Sequence, residues 1–190
     1  MKRFIPSLLA AAVSFASMEA MAAADLLLFN GKVFTAEPGQ PLAQAVAVGD
    51  GKILKVGSDA EVKALADADT QLIDLAGKVL MPGMIDAHTH LTQSMGKALA
   101  FGEPSEIFRR IWVPMEGALG PEAAYVSAKL AALEALRGGF TTVVDAGTRS
   151  AHGLASVAQA ARDAGIRCVL GIICNDLHHP MGEQAFEQLA

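Results

Sequence analysis

The hydrophobic positions of this chain follow two rhythms, and the change falls near residue 80. Before it, apolar residues come in short runs of strand length, each closed by glycine, proline or asparagine. Leu26-Leu27-Leu28-Phe29 ends at Asn30-Gly31 and leads into Lys32-Val33-Phe34-Thr35, which reads as a strand pair. Pro38, Gly39 and Pro41 interrupt the pattern, and two further runs, 45–48 and 52–56, flank Gly49-Asp50-Gly51. That triplet is a strong hairpin signal, because glycine accepts the positive φ angles of tight hairpin turns. Ser58 or Asp59 can cap a short helix through Leu65, and strands resume over 71–75 and 78–80. Residues 23–80 are expected to form a small β-rich segment.

Beyond residue 80 the pattern becomes an alternation of strand and helix. Residues 81–90, Met81-Pro82-Gly83-Met84-Ile85-Asp86-Ala87-His88-Thr89-His90, read as a strand that leaves an apolar core and ends in two histidines. A long mixed excursion follows over 91–120, broken by Gly96, Gly102, Pro104, Pro114 and Gly120, and holding Arg109, Arg110 and Trp112. Such excursions serve as substrate lids or simply pack onto the scaffold, and both readings stay open here. Pro121 opens a helix, since proline is favoured at the first helical position. Val126, Leu130, Leu133 and Leu136 recur at helical spacing and predict its buried face, and Gly138-Gly139 ends it. Phe140-Thr141-Thr142-Val143-Val144-Asp145 has no polar alternation, so it is expected to be a strand buried on both faces. A helix over about 154–164 stops at Gly165, a third strand is expected over 167–174, and a third helix starts near Gly182.

This order predicts an α/β fold of right-handed βαβ units with parallel strands. Functional groups gather at the C-terminal strand ends of such sheets. His88, His90, Asp145, Asn175 and Asp176 all fall on that rim.

Composition narrows the function classes. A chain of 190 residues with 52% hydrophobic and 18% charged residues suits a protein with a large core. A net charge of −5, one Trp and one Tyr leave no basic or stacking surface for nucleic acid. Residues 1–22 read as a signal peptide. Lys2 and Arg3 precede an apolar run, and Ala20-Met21-Ala22 offers small residues for cleavage after Ala22, with Ala24 as the second choice. The run is short of the roughly 20 residues a membrane span takes, so a periplasmic or secreted protein free of the membrane after cleavage is expected, with an uncleaved anchor as the alternative. The cysteines, Cys168 and Cys174, fall on one expected strand, too far apart to bridge, and read as small buried apolar residues.

The candidate chemistry rests on the histidine pair. On a strand, residues two apart share a face with Cα atoms roughly 6.6 Å apart. Two imidazoles so placed can converge on one cation at metal–nitrogen distances of about 2.1 Å. Asp86 lies on the same expected face, either orienting an imidazole from behind the ligands or bonding neighbouring backbone. Asp145 carries the same two readings. His178 and His179 reach the same rim, with at most one pointing inward, and His152 is a weaker candidate in the loop after the second strand.

The stretch Gly77-Lys78-Val79-Leu80 followed by 81–90 resembles the first barrel strand of the amidohydrolase superfamily. The Asn30-Gly31 strand pair and the Gly49-Asp50-Gly51 hairpin are similar to that family's N-terminal β-sandwich segment. Residues 132–145, Ala-Leu-Glu-Ala-Leu-Arg-Gly-Gly-Phe-Thr-Thr-Val-Val-Asp, are similar to the helix and second strand of its deaminase and chlorohydrolase branch. The resemblance implies a TIM-type (β/α)8 barrel, with a β-sandwich segment at 23–80 and the first three βα units at 81–190. It implies a divalent metal, zinc first and iron second, with His88 and His90 as two of its ligands. Family members draw further ligands, a histidine and an aspartate, from strands five and eight, and a second histidine after strand six meets substrate or the attacking water. A (β/α)8 barrel commonly takes about 250 residues, so the sequence reads as the N-terminal portion of a longer protein, inactive and poorly soluble alone. The implied function is metal-dependent hydrolysis of carbon–nitrogen bonds other than simple peptide bonds, cyclic amides or deamination substrates, on a small molecule. The longer parent is a candidate homo-oligomer. An exported peptidase of the same superfamily and a non-catalytic binding or structural module are the alternatives.

Overall fold

The structure is a computed structural model that describes residues 23–104 and 106–173. The expected signal peptide and its cleavage site, Cys174, Asn175, Asp176, His178, His179 and the helix expected from Gly182 lie outside the described residues. The chain divides into two compact units, with the boundary between Pro82 and Gly83.

The first unit is built from β1 (Leu26–Phe29), β2 (Lys32–Phe34), β3 (Leu42–Ala43), β4 (Ala45–Gly49), β5 (Lys52–Gly57), α1 (Asp59–Lys63), β6 (Gln71–Asp74) and β7 (Val79–Leu80). The expected hairpin forms between β4 and β5, with Asp50 at φ 50° and Gly51 at φ 68°. Two successive positive φ angles are the mark of the turn whose twist matches the flanking strands. Ser58 caps α1: its hydroxyl accepts the Glu61 N–H, and the Glu61 carboxylate accepts the Ser58 N–H, closing a capping box.

The strand pair expected at Asn30-Gly31 does not form. β1 joins a four-stranded sheet in the order β5-β4-β1-β6, while β2 joins a three-stranded sheet in the order β3-β2-β7. Asn30, at φ 55°, turns the chain from one sheet to the other, and its side-chain amide donates to Asp74 Oδ1 at 2.8 Å. The unit's main apolar cluster places Val62 of α1 among Leu27, Ala45 and Ala47 of the four-stranded sheet and Ala24 just before it, with Phe29 and Leu65 beside them. This core is therefore made between sheet and helix.

The second unit holds three parallel strands in the order β10-β9-β8: β8 (Met84–Thr89), β9 (Phe140–Asp145) and β10 (Arg167–Leu170). Between β8 and β9 run a 3-10 stretch (Leu91–Ala100), a π-helical turn (Phe108–Trp112), α2 (Val113–Gly117) and α3 (Pro121–Arg137). α4 (Gly153–Ala164) joins β9 to β10 and ends at Gly165 in the left-handed conformation, φ 77°. β8 is shorter than the stretch 81–90 implies. Pro82 lacks the N–H a ladder needs and Gly83 weakens a strand, so pairing starts at Met84, whose N–H donates to the Gly139 carbonyl at 3.0 Å.

Two burial expectations are corrected. Val126, Leu130 and Leu133 are exposed, and α3 instead buries Ala124, Ser127, Ala128 and Ala132. Reading hydrophobicity alone favours the larger side chains. The packing favours the small ones, because alanines let α3 lie close against α4 and the 3-10 stretch. Leu136 does reach the core, beside Val143, Val157, Ala160, Ala161 and Ile166. The strands, likewise, are covered on one face only among the described residues. Val143, Cys168 and Leu170 meet the helices, while Ile85 and Val169 are exposed on the other side.

Just past β10, Gly171 presses against the end of β9. Its N–H donates to the Asp145 carbonyl at 2.7 Å, and a Cβ placed on Gly171 would lie 2.6 Å from that same oxygen. Gly171→Ala is expected to cost about 1–3 kcal/mol through backbone overcrowding. Urea denaturation measures it, and a loss below about 0.5 kcal/mol would mean the two strand ends separate freely.

Candidate functional site

β8 reaches the rim of the parallel sheet with an irregularity at its end. Asp86 pairs with Val143 and Thr89 with Asp145, so three steps along β8 match two along β9. The extra residue is a bulge spanning Ala87 and His88, a device that re-aims side chains at strand ends. The simple alternation expected for Asp86, His88 and His90 is thereby broken. The two imidazoles nonetheless converge, with ring centroids 5.4 Å apart and planes at 81°. His88 is exposed and His90 half-buried.

The rings differ in how they are held. His90 Nδ1 lies 2.9 Å from the Gly147 carbonyl oxygen. A carbonyl can only accept, so this nitrogen carries a proton, and in the neutral ring the lone pair is on Nε2. That is the usual arrangement behind a metal-binding histidine, where a backbone carbonyl fixes ring and tautomer. At His88 the contact is to the backbone, whose N–H donates to Asp86 Oδ1 at 3.1 Å. Asp86 Oδ1 thus bonds neighbouring backbone, and the oxygen that meets an imidazole nitrogen is that of Gly147.

Asp145 sits at the end of β9, 2% exposed. Its Oδ2 accepts the Leu91 N–H at 2.9 Å and its Oδ1 accepts the Gly147 N–H at 2.7 Å. Burial pushes the Asp145 carboxyl above its ordinary range, opposed by these two hydrogen bonds and by the neighbouring His90. The Ala146 N–H also donates to the Thr89 carbonyl at 2.8 Å. The segments 89–92 and 145–148 are therefore laced together along their length.

Behind the lacing lies a buried ion pair that the sequence did not announce. Arg149 Nη1 is 2.6 Å from Glu116 Oε2, with the two side chains 13% and 0% exposed. The Thr92 hydroxyl donates to Glu116 Oε1 at 2.7 Å and lies 3.1 Å from Thr148 Oγ1. The Arg149 guanidinium also stacks over the Phe108 ring, 4.4 Å from its centroid. Glu116 is a lone acid in the apolar turn 112–116 and Arg149 lies 33 residues on. The sole hint in sequence is a charge placed where a helix should be apolar.

The remaining candidates are more peripheral. His152 is exposed at the N-terminus of α4, with no capping hydrogen bond, beside a cleft lined by Pro121, Leu154 and Ser156. Arg109 and Arg110 are exposed, the latter 3.0 Å from Glu103. Trp112 is half-buried and closes over Gly96, where an added Cβ would run into Met115 and Trp112. Packing onto the 3-10 stretch is what the structure shows for this residue. Cys168 is a half-buried free thiol whose pKa burial and the nearby Asp145 push up. Among the described residues no group of three or more His, Cys, Asp and Glu side chains is placed to hold a metal ion.

Residues 79–188, more than half of the chain, match the amidohydrolase family. The chain belongs to this family. A 5-methylthioadenosine/S-adenosylhomocysteine deaminase of Syntrophobacter fumaroxidans is 38% identical over 160 residues, which cover 83% of this chain and 35% of that protein. An adenosine deaminase from Xanthomonas campestris, solved with bound zinc, superposes with a TM-score of 0.72 at 25% identity, over 88% of this chain and 38% of the other. An atrazine chlorohydrolase mutant from Arthrobacter aurescens, complexed with zinc and atraton, gives a TM-score of 0.63 at 24% identity over 76% and 35%. The chain spans about a third of the length of the curated deaminases it matches. The mixed α/β fold is thus shared with a zinc-bound adenosine deaminase and a zinc-complexed chlorohydrolase.

Proposed function

We propose that this amidohydrolase chain supplies two metal ligands, His88 and His90, to a metal-dependent hydrolase that cleaves a carbon–nitrogen bond of a small molecule. The observation that carries the reading is the ring pair at the end of β8, one ring fixed through Nδ1. Two imidazoles bound to one zinc at about 2.1 Å and tetrahedral angles have centroids roughly 5.2 Å apart. The 5.4 Å found here fits that spacing. Catalytic zinc usually takes three protein ligands, so two histidines on one strand are part of a site, consistent with a chain that spans about a third of its relatives. A bound zinc supplies hydroxide at neutral pH by lowering the pKa of its water to about 7.

In this reading β8, β9 and β10 with α3 and α4 are the first βα units of a TIM-type barrel, and the rim of 88–92 and 145–149 is part of its mouth. The role of this chain's own groups is placement: Gly147 holds His90, and Asp145 holds the Leu91 and Gly147 backbone that flanks it. The deaminase names of the relatives favour removal of an amino group from a nucleoside-type ring carbon as the reaction. The leader-like residues 1–22 favour an exported enzyme, and with it a scavenging amide hydrolase as second reading.

Zinc titration of the protein labelled with 15N-histidine tests the ligand assignment. The ring resonances of His88 and His90 should shift together and saturate at one equivalent, and His88→Ala or His90→Ala should weaken binding at least tenfold. Zinc uptake that leaves both rings unshifted would remove the metal reading.

A further inference from the structure

We propose that the buried Glu116–Arg149 pair is a positioning device for the metal site, holding the 147–149 segment so that the Gly147 carbonyl fixes the Nδ1–H tautomer of His90. The inference rests on the ligand role given to His90 above and adds residues that touch neither ring. Its basis is a continuous run of contacts.

Arg149 is two residues beyond Gly147, and its side chain is held from two sides, by Glu116 Oε2 at 2.6 Å and by the Phe108 ring at 4.4 Å. Thr148, between them, approaches Thr92 Oγ1 at 3.1 Å, and Thr92 is in turn bonded to Glu116 Oε1. The Thr92 carbonyl accepts from Ser127 Oγ at 2.9 Å, which ties this end of the run to α3. One fully buried carboxylate therefore gathers both partners of the His90 contact: residue 92, two beyond the histidine, and residue 149, two beyond its acceptor. The geometry makes the two histidines unequal. His90 has its Nδ1 engaged and Nε2 left for a cation, while His88 is exposed and the Asp86 carboxylate beside it accepts from its backbone N–H.

A substrate-binding role for Arg149 is the competing use of a guanidinium at this rim. It is disfavoured because the Glu116 carboxylate and the Phe108 face already occupy the group, and the side chain is only 13% exposed.

The test is the tautomer of His90, read from long-range proton–nitrogen spectra of the metal-free protein labelled with 15N-histidine. In the unaltered protein His90 should show the Nδ1–H form. In the double variant Glu116→Met, Arg149→Met, which leaves no unpaired charge, His90 should show both tautomers. Zinc affinity should fall roughly tenfold, the lower end of what loss of an orienting partner costs. His88 and the thermal melt serve as references. An Nε2–H form of His90 in the unaltered protein overturns the proposal, and so does a double variant that keeps both the Nδ1–H form and the zinc affinity. A double variant that does not fold also overturns it, since the pair would then be a requirement of the fold rather than of the site. Because the tautomer is read without metal, a failure of the ligand assignment would show separately, as zinc that shifts neither ring.

Discussion

Arg149→Met alone is expected to destabilise the second unit by about 3–5 kcal/mol, while adding Glu116→Met should recover most of that loss. The asymmetry follows from where the charges sit. Glu116 is 0% exposed, and among the described residues its carboxylate meets, besides Arg149, one neutral hydroxyl, that of Thr92. Removing the guanidinium leaves an anion without solvent or counter-charge, whereas removing both charges leaves two flexible apolar chains in the same volume. The thioether introduced by Arg149→Met would still lie against the Phe108 ring, a contact that sulfur makes well, and the Thr92 hydroxyl would still have Thr148 within reach. Urea denaturation midpoints of the two variants decide the matter. Equal losses would mean that water reaches Glu116 once Arg149 is gone.

Asp145→Asn should be no milder than Asp145→Ala, each costing about 2–3 kcal/mol. The carboxylate receives two backbone N–H groups, one on each oxygen, from Leu91 and Gly147. A carboxamide has an acceptor on one side and a donor on the other, so one of the two N–H groups would face an NH2 group in a buried place. The residue that looks closest to aspartate is thus a poor replacement here. Thermal unfolding checks this, and an asparagine variant within about 0.5 kcal/mol of the parent would show that one of the N–H groups has another acceptor.

What could be read from the sequence was what local chemistry determines. The Asp50-Gly51 turn, the Ser58 cap, the glycine stop at 165 and the His-x-His at a strand end each depend on a few adjacent residues, and each is found in the structure. What depends on distant partners was not legible. The buried face of α3 went to alanines because α4 and the 3-10 stretch approach closely, a fact about neighbours rather than about the helix. β1 and β2 part into separate sheets because β6 and β7, more than 40 residues on, claim them. The bulge at His88 depends on the register of β9, and Glu116 meets Arg149 across 33 residues. The rim followed the same division: the histidine pair and Asp145 were visible, while the Gly147 carbonyl and the Glu116 carboxylate behind them were not.

The strand order of the second unit matches the order of synthesis, since β9 pairs with β8 and β10 with β9. A chain leaving the ribosome with that topology can accrete one strand and one helix at a time, each new strand docking on an edge already made. β8, carrying both histidines, is laid down first. The Gly147 carbonyl that aligns His90 arrives with the next strand, and nothing later in the described residues disturbs it. Position along this rim is then also a temporal order, with the histidine pair and the carbonyl that meets His90 both synthesised before β10 emerges.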